Sequence, residues 1–305
     1  MAYISEVDRS GEYNGGMRKF APLFYVAVLL TAAPVAGAAV LAISVFPDTV
    51  IQGEPLRVVV ENVSSVAEIK KIIFDTKSVE LFLFQGKPTA LIGIDLKKKP
   101  GNYKIVVTLV DGTVIEKIIV IGERPKVEAP LGIPEKLGGN TPGAVKAVVS
   151  SLASENQSIY SVRTFPKSLW TEDFRFPILN PTVTDSYGYV RQTVGQFITH
   201  KGTDFSSKEG AVVKAMNRGI VRLARTYQIY GKTIIVDHGA GLMTLYMHLS
   251  KIKVNEGELV KQGQLIGLSG KTGYAESPHL HVSVWINKIS VDPMKFMAIF
   301  QKRAL

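Results

Sequence analysis

The chain has 305 residues, 36 Lys and Arg against 26 Asp and Glu, a formal net charge of +10 and no cysteine. The length suggests two domains, and the lack of cysteine excludes disulfides, thiolate zinc sites and cysteine nucleophiles, so a metal would have to be held by His, Asp and Glu. A basic balance attracts anionic partners; with no arginine-rich helix or nucleic-acid module in the sequence, a cell-envelope polymer is favoured over nucleic acid.

Residues 1–16 are polar and read as a disordered leader, and Met17 is a candidate start. Arg18 and Lys19 then precede an uncharged run from Ala21 to Phe46. Such a run can cross a bilayer, which takes about 20 apolar residues. The same stretch has a signal-peptide layout: a cationic start, an apolar middle and Ala36-Gly37-Ala38 as an A-x-A cleavage pattern. Both readings, cleavage after residue 38 or an anchor through residues 21–46, export the rest of the chain to the periplasm or cell envelope.

From residue 40 to 122 short runs rich in Val, Ile and Phe ("EPLRVVVEN", "IKKIIFD", "YKIVVTLV", "TVIEKIIVIG") alternate with Gly- and Pro-bearing turns. This pattern predicts a β-sandwich, immunoglobulin-like in shape. It carries no titratable cluster, so a spacer or positioning role is expected. Residues 123–173 read as a linker containing one helix, with Thr141 as N-cap and Pro142 at the first helical position. Residues 174–296 return to short strands between frequent glycines, predicting a compact antiparallel β domain, and 297–305 read as a tail. The fold class expected is mainly β.

Only five histidines occur in the chain. Two of them, His279 and His281, sit one residue apart in "SPHLHVSVW", which reads as a strand. Alternate strand side chains share a face, so both imidazoles can meet one ion, or one can bind it while the other handles protons. Upstream, "HKGTDF" places His200 and Asp204 four apart around Gly202, a turn that lets an imidazole and a carboxylate converge. A catalytic zinc site takes three protein ligands and leaves a position for water. His200, Asp204 and one of the 279/281 pair would supply three; the other member and His248, in "TLYMHLS", are left for acid–base work. H-x-x-x-D and H-x-H are each weak alone and strong together with a histidine between them. His238 is expected to be structural, and Asp237 and Tyr246 could shape the cleft. "GLSGKTG" is not a phosphate loop, because the required glycine is Leu265 and no long helix follows. A carrier hairpin with Lys271 as its turn lysine would explain no histidine.

The segment from about Phe174 to Phe296 resembles the M23 family of zinc metallopeptidases, the lysostaphin- or LytM-type endopeptidases of bacterial cell walls. The resemblance rests on "SYGYVR", "HKGTDF", "GAVVKAMNRGIV", "YGKTIIVDHGAGLMTLYMHLS", "VNEGELVKQGQLIGLSGKTG", "SPHLHVSVW" and "VDP", in order. Two departures, Tyr187-Gly188 for a usual Phe-Gly and Ser277-Pro278 for a usual Gly-Pro, leave the ligand positions untouched. The resemblance implies one Zn2+ held by His200, Asp204 and His281, with His248 and His279 as the non-ligand catalytic pair. It implies peptidoglycan as the substrate, cut in a cross-link or stem peptide. A different outcome within the same resemblance is a non-hydrolytic regulator that activates other wall hydrolases. The preceding sandwich is similar to the N-terminal domain of some such peptidases.

Overall fold

Alternation of apolar residues dictates the first half of the molecule. The computed structural model describes residues 40–130, 132–193 and 196–301, so the expected leader, signal peptide or anchor falls outside the described residues. Among the described residues no helix is long and apolar enough to cross a membrane. One four-stranded sheet has the order Ala42–Phe46, Pro55–Glu61, Lys87–Gly93, Leu81–Phe84. A five-stranded sheet has the order Val50–Ile51, Val114–Gly122, Gly101–Leu109, Ile69–Phe74, Lys77–Ser78. Every second residue of these strands (Leu56, Val58 and Val60; Ile105 and Val107; Ile119 and Ile121) enters one shared core, the period of two that a half-buried strand requires.

The second half is built on an eight-stranded sheet. Seven strands run Val183–Asp185, Thr203–Ser206, His279–Ile286, Leu242–Leu249, Lys232–Gly239, Gly219–Thr226, Leu259–Val260, and Ile289–Val291 pairs off His279–Ile286. Two three-stranded sheets flank it. One is Glu128–Pro130, Val190–Thr193 and Gln196–Thr199; the other is Val212–Lys214, Leu265–Leu268 and Lys251–Ile252. The fold is mainly β, as expected, with two α-helices among the described residues. Helix α1 spans Pro142–Tyr160, and the Thr141 hydroxyl accepts from Ala144 N at 3.2 Å, the cap that the sequence predicts.

Two segments pack more closely than a linker and a tail need. Residues 123–173, expected as a linker with one helix, hold that helix and also pack against the second half. Glu128–Pro130 is a sheet strand, Ile133, Val145, Val148 and Ile159 are buried, and Trp170 lies in the main core of the second half. The expected tail from residue 297 begins inside helix α2, Pro293–Gln301, whose Met297, Ile299 and Phe300 are buried. In both places apolar side chains recur at positions that a neighbouring sheet can cover, and burying them outweighs the turn chemistry that marks a boundary locally. Not every pairing is antiparallel either: Val50–Ile51 runs parallel to Ile121–Gly122, and Glu128–Pro130 parallel to Val190–Gln192.

The two halves share an aromatic seam. Strand Lys87–Gly93 is buried on both faces: Ala90 and Ile92 enter the sandwich core, while Leu91 turns the other way with Phe82 and Phe84. Phe84 meets Trp170 and Phe300 with ring centroids at 4.9 and 5.6 Å, and Trp170 meets Phe174 at 5.1 Å. These tilted and edge-on geometries suit the ring quadrupoles. Arg124 closes the polar side of the seam. Its Nε donates to Gln52 O at 2.7 Å and its Nη2 lies 3.3 Å from Asp292 Oδ2. Gly53, at φ +81°, keeps this approach open, since a Cβ there would fall 2.5 Å from the Tyr187 ring. Trp170→Ala removes the centre of the seam and is expected to cost roughly 3–5 kcal/mol, read as a lower urea midpoint; a loss below about 1 kcal/mol would show that the seam contributes little.

Candidate metal centre

Strand register assembles the site. Thr203–Ser206 and Leu242–Leu249 both pair with His279–Ile286, one on each side, so that Asp204 and Met247 each stand opposite His281, and Ser206 opposite His279. Residues directly opposite across an antiparallel pair share a face. Asp204 and His281, 77 positions apart in sequence, therefore meet on one side of the sheet. That face continues into Leu245, Met243 and Trp285, covered by Ile159 of α1.

His248 follows Met247, and regular alternation would turn its ring to the far face. Its φ of +61°, rare for a residue with a Cβ, breaks the alternation. The ring comes to 4.8 Å from His279 and 5.9 Å from His281, centroid to centroid. The conformation is held on two sides: His248 N donates to Tyr230 O at 3.1 Å, and its Nδ1 lies 2.9 Å from Thr272 O. The Tyr230 turn is itself fixed by α1, where the buried Glu155 carboxylate accepts from Ile229 N at 2.9 Å and Tyr230 N at 3.0 Å.

His200 lies in the connection between Gln196–Thr199 and Thr203–Ser206. Its Nε2 is 3.2 Å from Asp204 Oδ1 and 3.0 Å from His281 Nδ1, and His281 Nδ1 is 2.7 Å from the same Oδ1. Gly202 makes this packing possible, because a Cβ there would fall onto the His281 ring and 2.5 Å from Val282 O. The outer nitrogens settle the tautomers. His200 Nδ1 faces Ser186 O at 2.9 Å, a pure acceptor, and so carries the proton. His281 Nε2 faces Ser283 Oγ at 3.0 Å, whose own proton goes to Lys201 O at 2.8 Å, so this nitrogen also donates. The two inner nitrogens are then lone pairs aimed at each other and at a carboxylate oxygen.

Three acceptors facing one point, with one negative charge among them, make a cation site. Two donors each about 2.1 Å from a tetrahedral ion lie about 3.4 Å apart, close to the separations seen here. The residues thus fit a small tetrahedral dication such as zinc, with outer-nitrogen partners of the kind that orient metal-ligating imidazoles.

His248 and His279 stand beside this trio. His279 Nδ1 is 2.9 Å from Ser277 O and its Nε2 is 3.8 Å from Asp204 Oδ2. Both histidines spend Nδ1–H on a carbonyl, which leaves Nε2 of each as the lone pair in the neutral ring. Burial, together with repulsion from His281 and His279, pushes His248 down to about 3, so it is neutral near pH 7.

All five expected site residues are therefore brought together. His238 lies elsewhere, fully buried, with Nδ1 2.8 Å from Arg218 O and Nε2 2.8 Å from Thr244 Oγ1. The expectation that Asp237 and Tyr246 shape the cleft does not hold. Asp237 accepts from Phe165 N, Gly239 N and Arg222, and the Tyr246 hydroxyl accepts from Met216 N inside the core. Sequence reasoning missed Ser186, Ser283 and Thr272, which fix the tautomers of the site histidines. Two of these act through backbone carbonyls, to which any residue could contribute, so nothing in the sequence marks them. It also missed Arg191, whose Nη2 contacts Asp185 and lies 3.7 Å from Asp204 Oδ2.

Residues 198–293 match peptidase family M23. Over 101 residues the chain is 41% identical to the peptidoglycan DD-endopeptidase ShyB of Vibrio cholerae, a match covering 33% of this chain and 24% of that protein. The matched segment thus spans about a quarter of that relative. A crystal structure from Pseudomonas aeruginosa assigned to peptidase M23 superposes over 82% of this chain and 96% of its own, at 27% identity and a TM-score of 0.59. The catalytic domain of lysostaphin from Staphylococcus simulans is 34% identical, covering 39% of this chain and 93% of that domain, with a TM-score of 0.37.

His238 generates a pH prediction. Burial pushes it down to about 4, against 6.5 in an unfolded chain. Below pH 6.5 the unfolded state binds a proton that the folded state refuses, so stability falls as pH drops from about 6.5 toward 4, by roughly 3 kcal/mol in all. Urea unfolding between pH 7 and 4.5 should show this limb, and it should be shallower in His238→Gln; an identical slope in the variant would remove His238 as its cause.

Proposed function

We propose that the chain, whose residues 198–293 match peptidase family M23, is a zinc-dependent endopeptidase that hydrolyses peptide bonds in the cross-links or stem peptides of bacterial peptidoglycan. The observation that carries the reading is the convergence of His200 Nε2, His281 Nδ1 and an Asp204 oxygen, all within 4.8 Å of one another, with both outer imidazole nitrogens spent on other partners. The match to the family supports the reaction class, and the name of the Vibrio cholerae relative supports peptidoglycan as the polymer.

His200, Asp204 and His281 would hold the ion. Bound there, zinc supplies a Lewis acid that polarises the scissile carbonyl and lowers the pKa of a bound water from 15.7 toward about 7. The remaining work belongs to His248 and His279, whose Nε2 atoms carry lone pairs next to that position. One neutral imidazole accepts the proton of the attacking water and returns it to the leaving amine. The other, once protonated at Nε2, donates a hydrogen bond to the developing oxyanion. Thr272 O and Ser277 O keep both rings in the required tautomer.

A substrate outside the cytoplasm agrees with the exported reading of residues 1–46, as signal or anchor, and a net charge of +10 favours an anionic wall polymer. The sandwich is read as immunoglobulin-like. Its strand order, 42–46, 55–61, 87–93, 81–84 against 114–122, 101–109, 69–74, follows the A-B-E-D and G-F-C sheets of that fold. The aromatic seam that joins it to the peptidase half supports a positioning role.

The purified protein should contain one zinc per chain by elemental analysis and release new peptide termini from defined muropeptides, with cleavage lost to a chelator. His281→Ala should lose both zinc and cleavage. His248→Asn should keep zinc and lose roughly 100- to 10,000-fold in rate. Zinc without cleavage in the wild type would instead leave a regulator of other hydrolases, and cut glycans with intact peptides would exclude the peptidase reading.

A further inference from the structure

We propose that Glu155 of helix α1 is a positioning residue for His248: through one turn of backbone it sets both contacts that hold this imidazole beside the metal centre. The inference rests on the metallopeptidase reading. It extends the catalytic unit beyond residues 198–293, the segment that matches the family, to a helix at Pro142–Tyr160.

Glu155 is a carboxylate in an apolar place. It is 7% exposed, on a helix whose other buried residues are Ala144, Val145, Val148 and Ile159. Burying a carboxylate is costly unless hydrogen bonds replace the lost water. Both of its oxygens are satisfied by one turn: Oε1 accepts from Ile229 N at 2.9 Å and Oε2 from Tyr230 N at 3.0 Å. A carboxylate offers one oxygen to each of two successive N–H groups. The amide of a glutamine would offer one oxygen and set a donor against the other N–H.

The turn reaches His248 by two routes. Directly, Tyr230 O accepts from His248 N at 3.1 Å, at the residue whose φ of +61° brings its ring to His279 and His281. Indirectly, the turn holds the loop at 272–274: Lys232 N donates to Thr272 Oγ1 at 2.9 Å, and Tyr274 N to Ile229 O at 2.7 Å. Thr272 O is in turn the acceptor 2.9 Å from His248 Nδ1. The backbone conformation of His248 and the tautomer of its ring therefore both depend on residues 229–232. A left-handed residue with a Cβ persists only where its surroundings over-determine it. Without the carboxylate, two buried N–H groups lose their acceptors, the turn shifts to satisfy them, and His248 is released toward the ordinary alternation that turns its ring away.

Helix α1 touches the same turn elsewhere. The Tyr230 hydroxyl donates to Asn156 Oδ1 at 2.8 Å, and the Ser151 hydroxyl to Gln228 Oε1 at 3.0 Å. These contacts fasten side chains and leave the backbone groups of Ile229 and Tyr230 untouched. They separate a role in positioning His248 from a role in holding the helix.

The test uses the full-length zinc-loaded protein and a defined cross-linked muropeptide. Glu155→Gln should lower kcat about 100-fold, the scale of an ångström's misplacement at a reacting group, with KM unchanged and one zinc per chain retained. Asn156→Ala removes a hydrogen bond from the same helix to the same residue, and should lower the thermal midpoint while keeping kcat. Nitrogen-15 NMR of the imidazoles gives a readout apart from turnover. His248 should show the Nδ1–H tautomer in the wild type and lose it, in whole or in part, in Glu155→Gln, while the signals of His238 stay unchanged. Glu155→Asp keeps both oxygens but falls one methylene short; it should show the same split at smaller size, and it carries the test if the glutamine variant does not fold. Full kcat in Glu155→Gln, an equal loss of kcat in Asn156→Ala, or an unaltered His248 signal overturns the inference and leaves the peptidase reading intact. A wild type that binds no zinc or leaves the muropeptide uncut overturns the underlying reading instead.

Discussion

Three hydrogen-bond acceptors aimed at one point are unfavourable until a cation joins them, and this protein is arranged to keep them there. His200 Nε2, His281 Nδ1 and Asp204 Oδ1 lie 2.7–3.2 Å apart. Each imidazole could relieve the conflict by moving its proton inward, but Ser186 O and the Ser283 hydroxyl hold the outer protons in place. The arrangement therefore concentrates negative potential in a buried spot, which is what a catalytic dication needs before it brings any chemistry.

Around that spot the fold behaves as a set of clamps of decreasing directness. The paired strands fix Asp204 against His281. A positive φ at His248 and the carbonyls of Tyr230 and Thr272 fix the adjacent base. Helix α1 fixes the Tyr230 turn through Glu155, although it lies in a stretch that reads locally as a linker. Further out, Trp170, Phe84 and Phe300 join the sandwich to the core behind the sheet. A site that must hold several groups within a fraction of an ångström is better built on strands than on loops, and here Asp204, His248, His279 and His281 all belong to strands while only His200 lies in a connection.

Charge is handled by pairing rather than avoidance. Asp185 opposite Asp204 would weaken the sheet edge, and Arg191 turns that weakness into an anchored guanidinium facing the site. His238, the one histidine outside the cluster, shows the contrasting case. Buried with both ring nitrogens bonded, it serves packing and hydrogen bonding in the core, and its cost appears only when acid tries to charge it.

Much was legible in the residues themselves. Period-two alternation, as at Leu56, Val58 and Val60, determines strands wherever one face is buried, and Thr141-Pro142 determines where α1 starts, because these rules act between near neighbours. The candidate ligands were equally legible: in a chain with no cysteine and five histidines, few residues can hold zinc, and His279 and His281 share a face through strand geometry alone. What the tertiary structure alone decided depends on contacts between distant segments. Register set Asp204 opposite His281 across 77 positions; a left-handed backbone turned His248 toward them; carbonyls of Ser186, Thr272 and Ser277 selected the tautomers; and the cores of neighbouring sheets took in Ile133, Val145, Val148, Trp170, Met297, Ile299 and Phe300. None of these leaves a mark in composition or spacing, because a backbone carbonyl is the same for every residue and burial is conferred by the partner that covers the side chain.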